Sequence, residues 1–261
     1  MEDLSKQSYW EDRFLTEDSF EWFGDCSRLY PILDLYFKSS PSSILLHLGC
    51  GSSSLAEEMF ARHYCHLIYN VDYSSHILDK RRRMNDKNNR CSIEWITLDI
   101  RSIPFRRNSF DTIIEKGTLD VFFVGYEHQL WHPSEDLQEK IDLILTEISQ
   151  CLREDHGRFI SISFQQPHFR RRFFAKEKYH WSIRLHSISD NQQSIEYFAY
   201  VMTKGETMSE EDQLLEQGIS SKWFWINQQN HPSTIVYSNN KDPDDDDDDQ
   251  YLFNITAEIN D

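Results

Sequence analysis

Short apolar runs alternate with stretches of helical spacing along most of this 261-residue chain. ILLHLG at 44–49 follows a Ser/Pro break at 39–43 and stops at glycine, so it reads as a buried strand. Residues 53–62 carry Leu55, Met59 and Phe60 on one face and predict a helix. HLIYNVD at 66–72 reads as the second strand, 75–84 as a helix, IEWITLD at 93–99 as the third strand and FDTIIE at 110–115 as the fourth. LQEKIDLILTEISQCLR at 137–153 places Leu137, Ile141, Ile144, Leu145, Ile148 and Leu152 at three/four spacing, and RFISISF at 158–164 follows as a strand. Strands alternating with helices in this way specify a mostly parallel sheet covered on both faces. From Trp181 the pattern changes: WSIRLHSI (181–188) and SIEYFAYVMTKG (194–205) flank SDNQQ and predict a hairpin closing the sheet edge in antiparallel fashion. The fold class is therefore α/β, with seven strands.

Four regions are expected: an N-terminal helical segment (1–42), the α/β core (43–205), a polar, weakly helical extension (206–240) and an acidic tail (241–261). WFWINQQ at 223–229 reads as partly packed on the domain rather than as an exposed patch. The Asp run at 244–249 repels itself and reads as disordered.

A 39% hydrophobic and 14% aromatic content is ample for a core. No apolar run approaches the roughly 18–20 residues that span a bilayer. The opening MEDLSKQSYW has neither the basic and apolar regions of a signal peptide nor the Arg-rich look of a transit peptide, so a cytoplasmic or nucleocytoplasmic location is expected. NIT at 254–256 fits a glycosylation acceptor that a cytoplasmic chain would not use. Five cysteines without C-x-x-C spacing argue against a disulfide framework or zinc ribbon. His63, Cys65 and His66 match no standard ligand set and read as structural, so no metal is expected. The net charge is −17, of which −8 lies between Lys241 and Asp261, leaving −9 on the rest. Such a body disfavours a nucleic-acid backbone and suits a basic protein surface.

The turn after the first strand reads H-L-G-C-G-S-S-S-L, with Gly49 and Gly51 permitting a sharp bend and close approach to a ligand. Asp72 ends the second strand 21 positions after Gly51, where a ribose-binding acid belongs. Asp99 ends the third predicted strand, where a carboxylate can accept from an adenine amino group. The plainer reading is that both acids cap turns. A dinucleotide fold wants a third glycine where Ser54 stands, and no Gly-Lys-Ser/Thr of a P-loop is present. The pattern suits adenosine without phosphates, hence S-adenosylmethionine. At 113–120, IIEKGTLD ends an apolar strand in Glu115, Lys116 and a glycine, delivering them beside the methionine portion of that cofactor, with the Lys116 role open between side chain and backbone.

With these residues in place the chain resembles class I methyltransferases. More narrowly it is similar to the eukaryotic translation elongation factor 1-alpha lysine methyltransferases, in the branch associated with the endothelin-converting enzyme gene. The resemblance rests on SYWEDRF (8–14), FEWFGD (20–25), LGCGSS (48–53), NVDYSS (70–75), IEKGTLD (114–120), GRFISISF (157–164) and PHFRRRFFAKEKYHWS (167–182). It covers roughly residues 8–205 and implies a Rossmann-like class I fold with an N-terminal segment closing the cofactor pocket. It implies cofactor contacts from Trp10, Phe14, Trp22, Gly49, Gly51, Asp72, Tyr73, Asp99, Ile100 and Lys116. On spacing alone Trp10, Phe14 and Trp22 read as core; the resemblance puts them at the cofactor, where aromatic faces also suit a cation. His47 departs from the acid the wider superfamily prefers, and Phe14 from the Tyr that the branch can carry.

The implied reaction is an in-line transfer of methyl to a lysine ε-amine of elongation factor 1-alpha, in which alignment does most of the work. An apolar pocket helps the lysine lose its proton, so no dedicated base is required. Glu115 and Asp120 are candidates for orienting the amine. An N-P-P-Y-like element and a Pro-Cys nucleophile, as nucleic-acid methylases use, are both missing. Another protein substrate, a small-molecule acceptor and a catalytically silent binding module remain as alternatives.

Overall fold

The computed structural model describes residues 4–17, 19–37, 43–87, 92–126, 132–190, 196–218 and 234–237. Trp131, Cys91, the WFWINQQ stretch, the Asp run and the rest of the expected tail lie outside them.

Seven helices and eight strands are described: α1 (Gln7–Thr16), α2 (Tyr30–Phe37), β1 (Ile44–Leu48), α3 (Leu55–Ala61), β2 (Leu67–Asp72), α4 (Ser75–Lys87), β3 (Ile93–Thr97), β4 (Thr112–Lys116), α5 (Glu135–Cys151), β5 (Arg158–Ser163), α6 (Pro167–Phe174), β6 (Trp181–Asp190), β7 (Glu196–Lys204), α7 (Glu210–Glu216) and β8 (Thr234–Tyr237). The sheet order is β3-β2-β1-β4-β5-β7-β6-β8. The first five strands in that order run parallel, and β7 pairs antiparallel with both β5 and β6. The seven-stranded sheet and antiparallel edge pair read from the sequence are there. One short strand is added: β8 pairs parallel with β6 from within the expected polar extension.

Each inner strand buries both faces. Leu45, Ile68, Ile114 and Ile160 face one core layer with residues of α2, α3 and α4, while Leu46, Val71, Ile113 and Phe159 face the other with α5 and α6. Alternate side chains point to opposite faces of a strand, so continuous apolar runs such as ILL and TII are what a two-sided core requires. The α5 stripe is buried as its spacing predicted, and Ser134 caps the helix by accepting from the Leu137 amide.

Two boundaries matter for function. β3 stops at Thr97, so Asp99 sits two residues beyond the strand rather than at its end. β4 runs through Lys116, so Glu115 and Lys116 belong to the strand rather than to the turn after it. In the extension, α7 is anchored by Asp212, fully buried, whose two oxygens accept from Arg171 of α6 at 2.6 and 3.0 Å. The four described cysteines are buried thiols; among them Cys65 packs in the core, where burial pushes it up to about 12.

Candidate active site

The strand order reverses at β1, where β2 and β3 lie on one side and β4 and β5 on the other. Doubly wound sheets open a crevice beyond the carboxyl ends of their strands at this point. Here it is a cavity of about 1250 Å³. Ligand sites usually span ~300–1000 Å³, so the space is enough for a nucleoside-sized cofactor together with an incoming side chain.

All ten residues read from the sequence as cofactor contacts line this cavity. Phe14 is buried in the core layer beneath, and Trp10 and Trp22 are half-buried against it, so these aromatics pack on the core and line the cavity at once. The cation on the aromatic faces is one the sequence reading did not anticipate. The Arg13 guanidinium lies 4.5 Å from the Phe20 ring centroid, 5.5 Å from Trp22 and 5.8 Å from Trp10.

Gly49 and Gly51 both hold positive φ, +59° and +49°. The space a side chain would take at Gly49 is filled by Thr118, whose atoms come within 2.3 Å of an added Cβ. Thr118 Oγ1 donates to the Leu48 and Gly49 carbonyls at 3.0 and 3.2 Å, stitching the β1 loop to the turn after β4. Gly49 therefore serves the close approach of two turns, and it also lines the cavity.

Asp72 is 5% exposed and accepts from the Gly51 amide through Oδ2 and the Ser74 amide through Oδ1, each at 3.0 Å. Burial outweighs these donors and lifts its carboxyl to about 6. Asp99 accepts from the Arg101 backbone amide at 2.9 Å and from its guanidinium at 2.5–3.0 Å, which holds the carboxyl below its ordinary value. Both acids thus fix turns and also face the cavity; a carboxylate oxygen has lone pairs beyond the one each amide uses.

The Lys116 side chain is engaged within the protein. Its ammonium is buried and donates to Glu21 Oε2 at 2.7 Å and to the Trp22 carbonyl at 2.8 Å. Glu21 in turn accepts from Ser53 Oγ at 2.7 Å and, through Oε1, from the Ser54 amide and hydroxyl at 2.5 and 2.9 Å. Although burial pushes Glu21 up, the ammonium and these donors hold it down to about 2. Glu21 thus occupies the start of α3, the place where a dinucleotide fold receives pyrophosphate. A carboxylate fixed there repels phosphate, which agrees with a phosphate-free nucleoside. Around it, Glu11 accepts from Ser74 Oγ at 2.8 Å, Ser52 Oγ donates to Glu17, and Lys80 reaches the Glu17 carbonyl at 2.6 Å, so α1 is docked mainly by polar contacts.

Glu115 does not reach the cavity, which corrects its candidacy for orienting an amine. It is fully buried and accepts from the Leu119 amide at 3.0 Å and from Ser161 Oγ, with Arg170 3.7 Å away. Asp120 does line the cavity, beside an aromatic wall of Phe122, Tyr126, Phe164 and Phe169. His47 pairs with Asn70 Oδ1 at 3.0 Å, and burial lowers it to about 4, so it stands neutral where an acid was expected. Sequence reasoning missed Glu21, Ser163, Arg170 and this wall; the acid inside FEWFGD and the arginines of PHFRRRFF were the available signals.

The sheet and its crevice are those of a class I S-adenosylmethionine-dependent methyltransferase. The N-methyltransferase NodS from Bradyrhizobium japonicum, solved with S-adenosyl-L-homocysteine, superposes with a TM-score of 0.57 at 16% identity, covering 78% of this chain and all of that one. Magnesium protoporphyrin IX methyltransferase from Synechocystis, solved with S-adenosylmethionine, superposes with a TM-score of 0.52 at 15% identity, covering 77% and 93%. A methyltransferase domain family matches residues 46–160. EEF1A lysine methyltransferase 4 from Bos taurus is 36% identical over 204 residues, 77% of this chain and 76% of that protein; the Mus musculus protein is 34% identical over the same shares. The chain belongs to this family of EEF1A lysine methyltransferases. A Homo sapiens eEF1A lysine and N-terminal methyltransferase is 28% identical over 210 residues, 75% of this chain and 28% of that protein.

Proposed function

We propose that this enzyme transfers a methyl group from S-adenosylmethionine to a lysine ε-amine of translation elongation factor 1-alpha, releasing S-adenosylhomocysteine. The observation that carries this is the 36% identity, over most of both chains, to a relative named for that reaction. The cavity fits the cofactor by its donor set: Asp72 for the ribose hydroxyls, Asp99 and Ile100 for adenine, and Trp10, Phe14 and Trp22 with the Gly49–Gly51 turn around the remainder. Glu21 at the start of α3 supports a ligand without phosphates. When bound, S-adenosylmethionine supplies an electrophilic methyl on a positively charged sulfur. The protein's part is to hold the acceptor amine in line, to exclude water with α1 and the aromatic wall, and to receive the amine's proton.

The N-terminal segment closes the pocket through Glu21 and Lys116, and the α/β core carries the ligand. The cofactor assignment involves no metal. The acidic body, at −9 outside the 241–261 tail, suits a basic protein surface better than a nucleic acid. Among the described residues no helix is long and apolar enough to cross a membrane, and a cytoplasmic site of action matches an elongation-factor substrate.

The test is transfer of labelled methyl to purified elongation factor 1-alpha, followed by mapping of the label. Label on a lysine supports the reading. Label only on small molecules from fractionated extract, with none on protein, contradicts it.

A further inference from the structure

We propose that a second site, at the amino ends of β4 and β5, binds a single phosphate group. A cavity of about 320 Å³ lies there, between the end of α5, the segment before β4, the short 3-10 turn Glu177–Tyr179 and the end of β7. That is the small end of the ~300–1000 Å³ range of ligand sites. Three cations from separate parts of the chain converge on it. Arg107 precedes β4, Lys178 belongs to the 3-10 turn, and Lys204 ends β7 opposite Trp181 of β6. Glu154 is the one carboxylate that lines the cavity. The crevice lies at the other end of the six-residue β5, roughly 20 Å away, so this site stands apart from methyl transfer and does not rest on that reading.

The charges there are not balanced within the protein. Lys204 is 3% exposed. Its Nζ donates to the Tyr179 carbonyl at 3.0 Å, while its ion-pair partner Glu154 is 3.4 Å away on a side chain 63% exposed. An ammonium taken out of water is costly unless closely paired, and an exposed partner at that distance is screened by solvent. Arg107 is exposed and has no hydrogen-bond or ion-pair partner among the described residues. Lys178 shares Asp142 with Lys176 and the Tyr179 hydroxyl. With Arg107, Lys176, Lys178 and Lys204 set against Asp142 and Glu154, the group carries +2. The carbonyl end of α5, which would repel an anion, is covered: the Asn108 amide donates to the Gln150 carbonyl at 3.0 Å, and the Ser109 and Phe110 amides to that of Cys151 at 2.9 and 3.1 Å. Asn108 and His180, both lining the cavity, hold left-handed backbone at φ +58° and +54°, a conformation that is uncommon outside glycine and concentrates at functional sites. A guanidinium with its fork of N–H donors beside ammonium point charges is a set that recognises phosphate. A phosphate monoester, at about −2 near neutral pH, matches the group's charge. The body, at −9 outside the 241–261 tail, repels an extended polyanion, so the site suits one compact phosphate rather than a nucleic-acid backbone.

A free small phosphate and a phosphorylated residue of a protein partner present the same group, and two probes separate them. Titration calorimetry on the full-length protein uses inorganic phosphate and a short peptide carrying one phosphoserine, with the unphosphorylated peptide as blank. Saturable binding of a phosphate-bearing probe is expected, with a Kd of about 1 mM or tighter. Arg107→Gln changes an exposed side chain that holds nothing else in the protein, so it should fold normally and weaken binding by about tenfold or more, the scale of one charge-assisted hydrogen bond. Glu154→Gln removes the one lining carboxylate and should strengthen binding by about threefold, the scale of a surface charge pair. Neither variant should change S-adenosylmethionine affinity, and saturating S-adenosylmethionine should leave phosphate binding as it was. Tighter binding of the phosphopeptide than of inorganic phosphate assigns the site to a phosphorylated protein segment; equal or weaker binding assigns it to a free small phosphate. No saturable binding of either probe, an affinity unchanged in Arg107→Gln, or displacement of phosphate by S-adenosylmethionine would overturn the assignment.

Discussion

Glu21 and Lys116 are 95 positions apart in the chain, and their ion pair ties the N-terminal segment to the exit of β4 and the start of α3. The pair makes a definite claim about stability. The Glu21 carboxyl is held at about 2 against an ordinary 4.5. A depressed acid contributes stability that is complete above its unfolded value and is lost as pH falls through its folded value. The window is therefore pH 4.5 down to 2, and the contribution is on the order of 3 kcal/mol. Thermal unfolding of Glu21→Gln should show that loss at neutral pH and a flatter dependence than wild type across this window. Asp72 acts in the opposite sense: its raised carboxyl favours the folded state as pH falls from neutral toward 4, a separate range. Superimposable pH curves for the two proteins would show that Glu21 is not the latch. At this scale the sequence was legible where spacing is local, as in Gly49, Gly51 and Asp72. It was silent where partners are distant: nothing near Lys116 names Glu21, and nothing near Asp120 names Ser163 or Arg170.

Elements divide by how they are held. β1, β4 and β5 are buried on both faces, and their apolar runs could be read as strands for that reason. Their ends could not, because a strand stops where its partner's register stops; β3 ends at Thr97 opposite Asp72, leaving Asp99 to a turn fastened by Arg101. α1 is held differently. Phe14 is its only fully buried residue, and Glu11 and Glu17 make its links to α4 and the Gly51–Ser53 turn. An element that buries one side chain and is otherwise attached by partly buried polar contacts opens at lower free energy than the core strands. Amide hydrogen exchange should therefore be fast in residues 7–16 of the free protein and slow by about tenfold or more with S-adenosylmethionine bound, while β1, β4 and β5 change little. Equal protection of α1 with and without the cofactor would mean that the segment does not close the pocket.

For the molecule as a whole, the parallel sheet fixes where chemistry can occur: beyond the carboxyl ends of β1, β2 and β4, at the reversal of strand order. That location was legible from alternation alone. The far edge was not. The four residues of β8, Thr234–Tyr237, are strand formers in a run too short to stand out from the polar stretch around them, and pairing with β6 places them in the sheet. Family resemblance narrows a fold that serves many acceptors to one lysine-directed branch. The claim on which everything else depends is that this crevice holds S-adenosylmethionine through Asp72. The direct measurement is calorimetric titration of the cofactor into the wild-type protein and Asp72→Ala, with circular dichroism as the folding control. Saturable binding by the wild-type protein, weakened by about 100-fold or more in a folded Asp72→Ala, is the predicted result; the same affinity in both proteins would contradict the account.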